Sequence, residues 1–104
     1  MNLTIHKNPK PGSLRLEGEF SFPSHQAFQD ATQELVDDPG LREIGLDLTG
    51  LSGLDSSALG MLLTLREKAE ARQKQVILLN PPNHIARLLR SVSFGKLFQI
   101  RTGG

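Results

Sequence analysis

The sequence predicts a small mixed α/β domain whose elements run β-β-α-β-α-β-α-β. Three observations carry that prediction. The chain has 104 residues, enough for one domain and too few for two. Apolar residues recur with period two in some stretches and with a helical period in others. Proline-rich breaks at Pro9-Lys10-Pro11-Gly12, Pro39-Gly40 and Pro81-Pro82 separate those stretches. Strands that alternate with helices pair in parallel through right-handed crossovers.

Leu3 and Ile5 predict a short first strand, ended by the turn at 8–12. Ser13 to Phe20 alternates, with Leu14, Leu16 and Phe20 on one face, and predicts a half-buried second strand. The turn is too short for a parallel crossover, so these two strands form an antiparallel hairpin. Phe22-Pro23-Ser24 breaks the pattern, and Ser24 is the expected N-cap of a helix from about His25 to Asp37. Ala27, Phe28, Ala31, Leu35 and Val36 give that helix its buried stripe. Glu43 to Leu48 predicts the third strand, with Ile44, Leu46 and Leu48 inward, and Thr49 to Asp55 reads as a loop. A second helix runs from Ser56 or Ser57 to about Gln73. Val76 to Leu79 is continuously apolar, as expected of a central strand covered on both faces. A third helix spans about Asn83 to Ser91, with Ile85, Leu88, Leu89 and Val92 on its core stripe. Leu97 to Ile100 closes the chain as a last strand, and Arg101 to Gly104 reads as a frayed tail.

Composition narrows the function. Hydrophobic residues make up 38% and charged residues 22%, which suits a packed domain and not a disordered segment. No apolar run approaches the roughly 20 residues that span a bilayer, and no secretion signal opens the chain, so membrane insertion is not expected and the cytoplasm is the expected compartment. There is no cysteine, which excludes disulfides, thiol catalysis and thiolate zinc sites. Twelve basic against eleven acidic side chains, with no Trp or Tyr, argue against direct nucleic-acid binding. His6, His25 and His84 do not share a metal-ligand spacing. No nucleophile elbow, phosphate loop or dinucleotide fingerprint is present, so neither enzyme activity nor a cofactor is expected. Arg87 and Arg90, three apart on the third helix, with Lys96 and Arg101 beyond, form either a solvated face or a basic edge toward an acidic partner.

The stretch Leu54-Asp55-Ser56-Ser57-Ala58-Leu59-Gly60 carries most of the information. It follows a strand and opens a helix. Asp55, Ser56 and Ser57 are all good N-cap residues, so one reading is a well-capped helix and nothing more. The other is a regulated hydroxyl. Free N–H groups and the positive end of the helix dipole meet there, and a phosphate on Ser56 would find donors while adding charge beside Asp55. Met61 and Leu65 widen the apolar surface of the first two turns, either under a neighbouring helix or as an exposed patch for a partner.

With Gly18-Glu19-Phe20, Leu46-Asp47-Leu48-Thr49-Gly50-Leu51, Arg87 to Val92 and Leu97 to Ile100, this motif resembles the STAS domain family of anti-sigma-factor antagonists over roughly residues 3 to 101. The resemblance implies a SpoIIAA-like mixed sheet with helices packed on one side. It implies a partner switch. The unmodified antagonist captures an anti-sigma factor that is also a serine kinase, phosphorylation releases it, and a PP2C-type phosphatase resets the protein. Carried over, Ser56 is the phosphoacceptor, with Asp55, Ser57, Ala58, Gly60 and Met61 as partner contacts and the ATP held by the kinase. The pattern looks closest to members of two-component and response-regulator-phosphatase circuits. A constitutive accessory subunit of an ABC lipid-transport system is the alternative, and a ligand-sensing module a further one. Three departures stand out: Ala58 replaces a common glycine, Ser21 replaces an acidic residue, and the final helix of many relatives is expected to be missing.

Overall fold

Right-handed crossovers between sequential parallel strands place every connecting helix on the same face of a sheet, and this chain builds that arrangement. A computed structural model describes residues 2–102. The elements are β1 (Thr4–Lys7), β2 (Ser13–Phe20), α1 (His25–Asp37), β3 (Glu43–Leu54), α2 (Ser56–Ala71), β4 (Gln75–Leu79), α3 (Asn83–Ser91) and β5 (Gln99–Arg101). Short 3-10 turns cover Phe22–Ser24 and Phe94–Lys96. The sheet order is β1-β2-β3-β4-β5. β1 pairs antiparallel with β2, as the short turn requires, and the other pairs are parallel. Gly12 turns the hairpin at φ +80°.

One core joins sheet to helices. Leu14, Leu16, Phe20, Ile44, Leu46, Leu48, Val76 and Leu78 point into it from the strands. Phe28 and Val36 of α1, Leu62 and Leu65 of α2, and Ile85 and Leu89 of α3 close it from above. Phe20 and Phe28 stack at 4.7 Å between ring centroids, which fixes α1 over the end of β2. Lys74 is a buried cation whose Nζ donates to the carbonyl of Leu35 at 2.8 Å and to that of Asp38. It thereby satisfies the last carbonyls of α1 and ties that helix to the start of β4.

Several expectations need correction. β3 does not stop at Leu48. Its second half, expected as a loop, pairs with β2 through Glu17↔Gly50, Gly18↔Leu51 and Phe20↔Leu54. The register slips twice, once between Gly18 and Glu19. Gly18 sits at φ +94°, where an added Cβ would stand 2.5 Å from the Asn2 carbonyl oxygen, so this bulge needs glycine. Ser24 is buried but makes no side-chain cap, because a 3-10 turn leads into α1 and occupies the entry. On α1, Ala27 is exposed and Thr32 takes the inward place, its hydroxyl donating to the Phe28 carbonyl at 2.8 Å. Val92 lies outside the core, 39% exposed past the end of α3, and Leu88 is half-buried. β4 is buried on both sides as expected, Val76 and Leu78 in the core and Ile77, 2% exposed, on the other face in the register of Gly45 and Gln99. The last strand is shorter and later than expected: Phe98 is a core residue packed on Phe94, and Arg101 is in β5, its carbonyl accepting from the Asn80 N–H. Of the expected frayed tail, Gly103 and Gly104 lie outside the described residues.

Candidate functional site

The site begins with the extended backbone of Asp55, at φ −99° and ψ −179°, between the end of β3 and the first turn of α2. That conformation aims its carboxylate back along the helix axis. Oδ1 accepts from the Ala58 N–H at 2.9 Å, so Asp55 is the N-cap. Its own N–H donates to the Phe20 carbonyl at 3.2 Å, and Oδ2 receives a longer contact from the Phe22 N–H at 3.4 Å. One residue thus joins the ends of β2 and β3 and the start of α2.

Ser56 follows as the first helical residue. It is exposed, and its hydroxyl has no intramolecular partner among the described residues. Ser57 is half-buried. The N–H groups of Ser56 and Ser57 lie ahead of the first intrahelical bond and have no backbone or side-chain acceptor among the described residues. Two free donors, the positive helix end and an unencumbered hydroxyl therefore meet at the surface. Such a point takes an added phosphate without disturbing packed groups.

The other expected contacts separate into two sets. Gly60 is exposed, and a Cβ built on it would meet nothing within 4 Å. Glycine inside a helix is destabilising by roughly 0.5–1 kcal/mol relative to alanine, and no neighbour among the described residues requires it. Ala58 is fully buried and Met61 is 8% exposed. Leu65 is 3% exposed, so the pair Met61 and Leu65 belongs to the core and not to an open patch. The reason is α1, which packs beside α2 and covers that flank. Met61 still reaches the floor of a groove of about 550 Å³ between the two helices. Phe22, His25, Ser57, Gly60 and Lys68 are also on its walls.

Phe22 was not singled out by the sequence pattern. Its ring is 68% exposed at the mouth of this groove, the largest exposure of any big apolar side chain described. The signal that could have found it is an aromatic outside the strand alternation, directly before Pro23. The histidines stand apart. His6 lies 2.7 Å from Glu17 on the sheet, His25 is on the groove wall, and His84 Nε2 is 3.0 Å from the Ser52 carbonyl. Among the described residues no three His, Asp or Glu side chains group as metal ligands, and no helix is long and apolar enough to cross a membrane.

Known proteins share this architecture. The family described as "Mlab, STAS domain" matches residues 3–100. A STAS-domain containing protein of Pseudomonas aeruginosa is 38% identical over 88 residues, covering 85% of each chain. An anti-sigma factor antagonist from Mycobacterium paratuberculosis superposes with a TM-score of 0.81 at 19% identity, over 96% of this chain and 86% of the other. The Bacillus cell fate determinant SpoIIAA in its phosphorylated form does so with a TM-score of 0.71 at 17% identity, over 99% and 92%. These two structures speak for the fold.

Proposed function

The chain belongs to the STAS domain family, and from that premise we propose that it is an anti-sigma-factor antagonist working as a phosphorylation-controlled binding switch. Unmodified, it captures an anti-sigma serine kinase or a related regulator through the start of α2. The kinase brings the ATP. Ser56 Oγ attacks the γ-phosphorus, loses its proton and takes the phosphoryl group, and ADP leaves. The modified protein lets go, and a PP2C-type phosphatase hydrolyses the ester to restore the hydroxyl.

The observation that carries this reading is the free, exposed Ser56 hydroxyl beside two unpaired N–H groups at the N-terminus of α2. A phosphate there adds −1.5 to −2 charge near neutrality. The Ser56 and Ser57 amides solvate it, so the fold persists. A partner that covers the site must strip water from that dianion while the Asp55 carboxylate stands next to it, and the desolvation works against docking. Asp55 acts as the positioning residue, because its cap fixes where the hydroxyl points. Phe22 and the bare backbone at Gly60 supply the apolar, close-fitting part of the contact.

A second reading rests on the groove itself, whose apolar wall needs no phosphate. It makes the protein a constitutive subunit docked on the ATPase of an ABC lipid-transport system. One experiment separates them. The protein is incubated with its kinase and ATP, the site is mapped by mass spectrometry, and Ser56→Asp is assayed for kinase binding. Phosphate on Ser56 together with weakened binding of Ser56→Asp supports the switch. An unmodified Ser56, with a variant that binds as well as the parent, leaves the constitutive subunit.

A further inference from the structure

Each of α1 and α2 follows one of two parallel strands, so the two helices run side by side in the same direction. The groove of about 550 Å³ lies between them. Ser57, Gly60, Met61, Thr64 and Lys68 recur at intervals of three and four, so one face of α2 lines it from Ser57 to Lys68, about 16 Å of helix axis. Spread over that length, the groove is a channel roughly 6–7 Å wide, narrower than a helix of about 10–12 Å. Its floor is apolar, with Phe28, Met61 and Leu65 buried there. Thr32, also buried, spends its hydroxyl on the Phe28 carbonyl at 2.8 Å.

Charge in the groove is one-sided. No Asp or Glu lines it. Lys68 is half-buried on its wall, three turns of α2 from the mouth. Its Nζ has a long contact, 3.5 Å, with the neutral amide oxygen of Gln33, and no ion pair among the described residues. The Asp37 carboxylate beyond Gln33 is already engaged, by Gln33 Nε2 at 3.0 Å and by Arg72 at 3.2 Å. A half-buried ammonium without a counter-ion attracts an anion more strongly than one in open water. At the other end the Phe22 ring stands in water at the mouth.

We propose that this groove binds a small amphiphile, an unbranched alkyl chain that ends in a single anionic head. The head meets Lys68, the chain lies along Thr32 and Met61, and its far end covers Phe22. A pocket of this size, apolar with one charged group, is the form small-molecule sites take. A peptide strand fits less well, because its backbone N–H and C=O groups would lie on the apolar floor without partners. An alkyl chain brings no such groups. The far end of the seat adjoins Phe22, Ser57 and Gly60, so an occupied groove changes the surface proposed to meet the partner. The proposal does not rest on phosphorylation of Ser56, and binding is read on this protein alone.

The test titrates the full chain, labelled for NMR, with decanoate, decyl phosphate and decanol, each below its micellar or solubility limit. The backbone signals of Thr32, Met61, Thr64 and Lys68 should shift with at least one of the two anions. The anion that binds more tightly identifies the head as carboxylate or phosphate. Lys68→Met should weaken that anion about tenfold and leave decanol unchanged. Thr64→Trp, which fills the groove from an exposed position, should weaken anion and alcohol alike. Lys96→Met, which removes an exposed cation outside the groove, should bind as the parent does. Circular dichroism of each variant checks that the fold is kept. Titrations with both anions that leave the groove signals unmoved would overturn the proposal. So would decanol binding as tightly as the anions, equal loss in Lys96→Met, or no loss in Thr64→Trp.

Discussion

At Asp55 a single carboxylate decides the geometry of the whole site. It caps α2 through Ala58 and leaves the two serines after it unbonded. Asp55→Ala is therefore expected to lose about 0.5–2 kcal/mol in urea denaturation. Ser56→Ala should stay within about 0.5 kcal/mol of the parent, since the residue it alters is exposed and caps nothing. Gly60→Ala tests the empty space beside the helix. It should gain about 0.5–1 kcal/mol of stability and, on the proposed contact, bind the partner less well, because the added methyl would stand where the partner is proposed to approach. Unchanged affinity would show that the partner keeps its distance from Gly60. The Asp-Ser-Ser order made the helix start legible in the sequence. Which of the three caps it was not legible, because capping depends on the backbone angles of the residue, and all three side chains can do it. Phe22 escaped for a related reason: exposure is settled by the path of the chain after Pro23 and not by residue type.

At the level of elements, α2 illustrates how packing overrides a flank assignment. Its apolar residues are too many for one stripe, and periodicity alone leaves open whether Met61 and Leu65 meet α1 or a partner. The structure buries both. Leu65→Asp is accordingly expected to destabilise by more than about 3 kcal/mol, through lost packing and an unpaired buried charge, and thermal unfolding followed by circular dichroism measures it. A variant that melts like the parent would return Leu65 to the surface. β3 fails in the opposite direction. Thr49-Gly50-Leu51-Ser52-Gly53 has the composition of a loop, but the backbone of Glu17 to Phe20 needs a partner, and two register slips let this glycine-containing stretch supply it. Local composition cannot reveal a pairing whose other half lies more than thirty residues away. The boundaries of α1 and α3, set by local punctuation, were readable.

Across the molecule, the order of strands and helices was legible because short turns, crossovers and handedness leave few alternatives. The long-range ties were not. Lys74 is a buried lysine far in sequence from the helix it caps, and nothing in its neighbourhood marks it as such. Lys74→Ala removes one of the two donors to each of the Leu35 and Asp38 carbonyls, which keep the Asp38 and Leu41 N–H groups, and the loss of two charge-assisted bonds should cost about 1–3 kcal/mol in chemical denaturation. This tie holds the end of α1 away from Ser56, so the variant should leave phosphorylation untouched. In the switch we propose, the whole domain serves as a rigid mount for one hydroxyl. Isothermal titration of the partner kinase with the unmodified protein and with the protein phosphorylated on Ser56 measures that role most directly. We expect the phosphorylated form to bind at least about a hundredfold more weakly, near 2.7 kcal/mol. Equal affinity of the two forms would contradict the switch.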